Sequence, residues 1–152
     1  IRASSLRRQE FTETVLSLTG KDLQLIRDVD TRWSSTFLMI LRALDLRESL
    51  TEYIDKEAEL TKFQLTLSEW EALSTIHRIL LIPHAFQQLL SFEKQPTLAH
   101  TIPAFQTMIN LWKDLQTEIP EVENIIQAGL DKLEGYQDKL DIVPANIIAT
   151  CE

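Results

Sequence analysis

The chain has 152 residues, of which 44% are hydrophobic, enough for one domain with a buried core. Only 3 Gly and 5 Pro argue against a turn-rich all-β fold, and a single cysteine, Cys151, excludes an intrachain disulfide framework. The net charge of −8 opposes general nucleic-acid binding, but it is uneven: residues 1–50 hold 8 Lys/Arg and 7 Asp/Glu, residues 51–152 hold 7 and 16, so a phosphate-facing surface is expected only in the first third.

Five segments carry helical periodicity. The first runs from about Ser5 to Leu18, with Phe11, Val15 and Leu18 at helical spacing and Gly20 as the stop. Lys21 to Asp30 alternates Leu23 and Leu25 with polar residues and reads as extended or irregular, a short strand being one form of this. The second helix places Trp33, Phe37, Ile40, Leu41 and Leu44 on one face. Asp30 or Thr31 can cap its start, and it is expected to run past Leu50 to about Lys56, with Glu52 and Lys56 as an i,i+4 pair.

The third helix starts after Thr66, which has capping-box spacing to Glu69. Its expected buried stripe is Trp70, Leu73, His77, Leu80 and Leu81, with Pro83 as a kink and the face continuing to about Ser91. A loop from Ser91 to Gln95 ends at Pro96. The fourth helix begins near Thr97 with Ile102, Phe105, Ile109 and Trp112 on one face and Pro103 in its first two turns. Pro120 closes that region; the fifth helix carries Val122, Ile125, Ile126, Leu130 and Leu133, and Gly135 is a candidate terminator. The apolar tail Ile142 to Ile148 contains Pro144. The expected fold is all-α, an array of about four to six helices. It forms a single helical domain or fragment over 1–152, with 1–30 as lead-in helix and extended segment and 31–152 as the helical array.

The stretch Asp28-Val29-Asp30-Thr31-Arg32-Trp33-Ser34-Ser35-Thr36-Phe37-Leu38-Met39-Ile40 resembles the signature Asp-Val-x-Thr-Arg-Trp-Asn-Ser-Thr-Tyr-x-Met-Leu of hAT-superfamily DNA transposases, with Ser34 for Asn and Phe37 for Tyr. Weaker similarities follow in order: Ile1 to Phe11, Leu67 to Leu73, Gln95-Pro96-Thr97-Leu98 with Ile102-Pro103, and Ile148-Ala149-Thr150. After Thr150 the chain reads Cys151-Glu152 where the family continues Leu-Asp-Pro. The resemblance implies the helical insertion of an RNase H-like transposase. The family's metal-holding Asp, Asp and Glu map onto no residue of this chain. The implied reading is therefore no catalysis by this chain, no cofactor in it, and divalent metal only in the full-length parent.

The family's Arg-Trp pair maps onto Arg32 and Trp33, which implies a nucleic-acid-binding role near the active site. An indole can stack on an unpaired base, worth ~1–3 kcal/mol, and a guanidinium can hold a phosphate bidentately. Periodicity alone gives the competing reading, since Trp33 shares its stripe with Phe37, Ile40 and Leu44 and can be core. The expected partner is DNA in the context of the parent protein, with weak or no DNA binding by the chain alone. No membrane association is expected, and the location is nuclear or intracellular. The alternative is an acidic helical protein-interaction module repurposed from a transposase, with a protein partner or a homo-oligomer.

Other constellations are weak. Asp28 and Asp30 could face one metal ion, but Asp30 reads better as a cap and Asp28 as a partner of Arg27 or Arg32. His77 and His84, seven residues apart, have no third ligand. Trp70 and Trp112 lie on apolar faces and read as core.

Overall fold

A computed structural model of the chain describes the backbone of residues 4–29, 33–92 and 98–141, and the side chains of 4–29, 34–89, 91 and 103–135. Among the described residues there are six α-helices, two single 3-10 turns and no strand. The chain divides into two compact units, residues 1–78 and 79–152.

In the first unit, α1 spans Ser5–Thr19. The Ser4 hydroxyl accepts from the Arg7 amide at 3.3 Å, and Gly20 ends the helix at φ 68, a conformation open to glycine, with its N–H on Leu16 O. Residues 21–29 are irregular, and the alternation of Leu23 and Leu25 presses both against a core of Phe11, Val15, Leu46, Tyr53 and Leu60. Phe11 and Tyr53 meet edge to face at 5.6 Å. The Tyr53 hydroxyl donates to Glu10 at 3.1 Å; burial first, and then this bond to a carboxylate, push the phenol above its ordinary value.

The single helix expected from Trp33 to Lys56 is two: α2 at Trp33–Asp45 and α3 at Arg47–Lys56. The break falls at Leu46 (φ −102, ψ 17), where no Gly or Pro marks it. Leu46 is 1% exposed and sits in the core beside Phe11 and Val15, so tertiary burial of this one side chain overrides continuous helix propensity. Lys56 and Glu52 pair at 2.6 Å within α3, as expected. A 3-10 turn at Thr61–Phe63 leads to α4, Leu67–Phe92. The capping box is formed: Glu69 N donates to the Thr66 hydroxyl at 3.3 Å, and Thr66 N donates to the Glu69 carboxylate at 2.8 Å, which holds that carboxyl below its ordinary value.

The second unit contains the later part of α4, then α5 (Leu98–Glu118), a 3-10 turn at Pro120–Val122 and α6 (Glu123–Asp141). Its core is Ile79, Ile109, Leu115, Val122, Ile126 and Leu130, with Ile82, Trp112, Ile119 and Leu133 against it. Four expected apolar-face positions are corrected: Leu18 in α1, and Leu81, Leu89 and Ile125 in this unit, are exposed. For Leu81 and Ile125 the reason is that Ile79 and Ile126 set the phase of the inward faces; Leu81 lies roughly 200° round from Ile79. Gly135 does not end α6, which runs on to Asp141, since a helix-stopping glycine adopts positive φ and among the described residues Gly20 alone does so.

Pro83 lies inside α4 without ending it. A proline at this position has no N–H to give the carbonyl four residues back, and its ring crowds that carbonyl outward. That carbonyl belongs to Ile79, and the Trp112 indole N–H donates to it at 3.1 Å. The side chain of α5 thus replaces the amide that Pro83 removes. Gly129 on α6 completes the pocket for the same ring: a Cβ there would lie 2.8 Å from Trp112 Cζ3.

Candidate nucleic-acid interface

Of the two residues implicated by the signature, Arg32 lies outside the described residues, as do Asp30 and Thr31, the expected caps. Trp33 opens α2, and its side chain also lies outside them. The surrounding signature residues are well defined. Asp28 Oδ1 accepts from the Ser35 hydroxyl at 2.5 Å and from the Val29 amide at 2.8 Å, and both of its oxygens accept from the Thr36 hydroxyl at 3.0 Å. The Val29 amide also reaches the Ser35 hydroxyl at 2.8 Å. The Ser35 hydrogen bond first, with those from Thr36 and Val29, holds the Asp28 carboxyl below its ordinary value against a smaller opposing effect of burial.

This arrangement redefines Asp28. The sequence suggested an ion pair with Arg27 or Arg32; Arg32 lies outside the described residues, and among those described the partners of Asp28 are two hydroxyls and an amide rather than Arg27. Farther along, Arg42 donates to Gln24 O at 2.8 Å. Contacts of residue 24 with 42 and of residue 28 with 35 and 36 lace the irregular segment antiparallel along α2. On the inward side of α2, Phe37 and Ile40 are buried, and Phe37 stacks on the His77 ring at 4.9 Å and 18°. The Phe37 stripe is therefore core, as its spacing predicts. His77 Nε2 is buried and meets no hydrogen-bond partner among the described residues.

The cations of the first third are partly engaged within the unit. Arg7 pairs with Glu59 at 2.6 Å, Arg42 holds Gln24, and Arg47 lies 5.3 Å over the Trp70 ring. Arg8, Lys21 and Arg27 are exposed and form no ion pair among the described residues. No cluster of three or more His, Cys, Asp or Glu suited to a metal ion occurs among the described residues. No described helix is long and apolar enough to cross a membrane.

The Asp28–Ser35–Thr36 clamp and the Phe37–His77 stack escape sequence reading. The first had a signal, a carboxylate followed at seven and eight residues by two hydroxyls, but only across a bend that brings both ends together. The second joins residues forty apart in the sequence.

Residues 1–79 match the family described as the ZBED1 RNase-like helical domain, a stretch nearly coextensive with the first unit. The chain is also similar to a Talaromyces stipitatus protein named "Putative transcriptional regulator tpeD", at 35% identity over 100 residues, which are 64% of this chain and 11% of that protein. The chain therefore spans a small part of the length of that relative. No solved structure matches.

Proposed function

We propose, from the premise that the chain belongs to the ZBED1 RNase-like helical domain family and is a transposase-derived helical domain, that it serves a hAT-like transposase or a nuclear protein descended from one by presenting Arg32 and Trp33 to DNA. The observation that carries this reading is the clamp on Asp28. The polar signature residues on both sides of Arg32 and Trp33 are committed to fixing the approach to α2, which is what a site needs when its two active side chains must be held still. The amides at the start of a helix favour an anion. The tpeD name supports descent into gene regulation as much as active transposition.

In this reading cleavage chemistry belongs to the rest of the parent. The purified chain, incubated with Mg2+ or Mn2+, leaves supercoiled plasmid intact and binds duplex DNA no tighter than micromolar at physiological salt; metal-dependent cutting, or tighter binding, refutes it. The decisive variant is Trp33→Ala, with Phe37→Ala as internal standard. Phe37 is 3% exposed, and its truncation is expected to cost ~3–5 kcal/mol. Trp33→Ala is expected to cost clearly less in thermal melts of the chain. In the full-length parent, Trp33→Ala and Arg32→Ala should both impair handling of DNA ends with unpaired bases. A loss at Trp33 equal to that at Phe37 returns the indole to the core and removes the proposal.

A further inference from the structure

Phe63, Leu65 and Leu67 are 62%, 37% and 73% exposed within five residues that close the 3-10 turn, pass through an extended Gln64 and open α4. Chain reach alone keeps the outer two Cα atoms within about 14 Å. Together they expose on the order of 300 Å2 of largely apolar surface, within the size range of the largest patch on a single chain, which is often functional.

The segment is tied down at both ends. Gln64 Nε2 donates to Asp55 at 2.8 Å, and Thr66 is locked in its reciprocal bonds with Glu69. The same contacts set the rim of the patch. Asp55 is tied to the strip through Gln64 and Glu69 through Thr66, while Glu71, exposed, follows Leu67 by one helical turn on the same face. Lys62 is the cation within the strip, and its ammonium lies 5.1 Å over the Phe63 ring. From Asp55 an open groove of about 640 Å3 continues, lined by Asp45, Glu48 and Glu52 together with Arg47; Glu52 is paired with Lys56, and Arg47 lies over the Trp70 ring, so the groove stays acidic on balance.

We propose that the Phe63–Leu67 strip is a docking surface for a basic amphipathic segment of a protein partner. Leu or Phe side chains of that segment would cover the strip, and its Lys or Arg would meet Asp55, Glu69 and Glu71. The Phe63 face already attracts a cation, and a partner ammonium or guanidinium can take the place of Lys62 there. The acidic rim opposes a phosphate backbone as occupant. The proposal is independent of the role given to Arg32 and Trp33, and the failure of either leaves the other standing.

The test uses the full 152-residue chain and a fluorescein-labelled helical peptide with Leu on one face and Lys on the other. Fluorescence anisotropy is expected to show saturable binding that weakens as salt is raised. Replacing the peptide's Lys by Glu, or its Leu by Ser, should abolish it. Phe63→Ser combined with Leu67→Ser removes mostly exposed surface and should weaken binding at least about tenfold while the chain stays folded, as a cooperative thermal melt would show. Glu71→Lys, which leaves the apolar residues in place, should weaken it as well. Absence of saturable binding, indifference to these variants, or equal binding of the Glu peptide overturns the proposal. Self-association in sedimentation, or duplex DNA binding, lost in the Phe63/Leu67 variant would assign the strip to a second copy or to nucleic acid, and overturns it too.

Discussion

Pro83 and Trp112, far apart in the sequence, meet at the same carbonyl, Ile79 O, and are expected to be energetically coupled. Trp112→Phe keeps an aromatic ring in the core but deletes the N–H that satisfies Ile79 O at 3.1 Å. The carbonyl cannot turn to the amide of residue 83, because proline has none. An orphaned carbonyl in a part-buried position costs about 1–3 kcal/mol, and truncation of the indole adds a packing loss. Pro83→Ala supplies the missing amide. In that background Trp112→Phe should cost only the packing loss, leaving a coupling of about 1–2 kcal/mol between the two positions. Urea unfolding of the four proteins measures that coupling directly. Hydrogen exchange provides a separate reading: the amide of residue 83 in the Pro83→Ala/Trp112→Phe protein should be protected, since it now closes the helical bond to Ile79. If Trp112→Phe costs the same in both backgrounds to within about 0.5 kcal/mol, the indole is not standing in for the lost amide.

Gly129→Ala should destabilise by about 1–2 kcal/mol despite alanine's better helix propensity, because the new Cβ would meet a ring edge already fixed by its hydrogen bond; a rise in melting temperature would contradict this. Asp28 has a folded-state pKa below its ordinary 3.8, so its contribution to stability is present above that value and is lost as pH falls through the lower folded-state value. The stability difference between wild type and Asp28→Asn should accordingly shrink on acidification from neutral pH to below 3.8, and a difference that stays constant across that range would refute the clamp.

What was legible in the sequence was local. Ser4 and Gly20 delimit α1, and the Thr66–Glu69 box opens α4, because capping chemistry acts within three or four residues. The Phe37–Ile40 face is likewise fixed by helical repeat alone. Leu46 was not legible: its neighbourhood favours helix, and the break exists because Phe11 and Val15, some thirty residues earlier, provide a place to bury it. Ile125 and Ile126 look alike in the sequence, and the packing of α6 against α5 decides which is inside. In the candidate interface, the signature pointed to Arg32 and Trp33, while the mutual hydrogen bonds of Asp28, Ser35 and Thr36 are visible only in the geometry.

The first unit also constrains the order in which the chain can mature during synthesis. α1 presents Phe11 and Val15, but the residues that cover them arrive with Leu46, Tyr53 and Leu60. The Tyr53–Glu10 and Arg7–Glu59 bonds span 43 and 52 positions. A nascent chain therefore carries α1 with its apolar stripe uncovered until residue 60 has emerged, and closing so long a loop is slow compared with forming the helix itself. Every core residue of the second unit lies at or beyond Ile79. The stretch most exposed to off-pathway association is thus α1, during the interval between the emergence of Gly20 and that of Leu60, a window in which a chaperone or a ribosome-proximal partner would act on it before its cover is available.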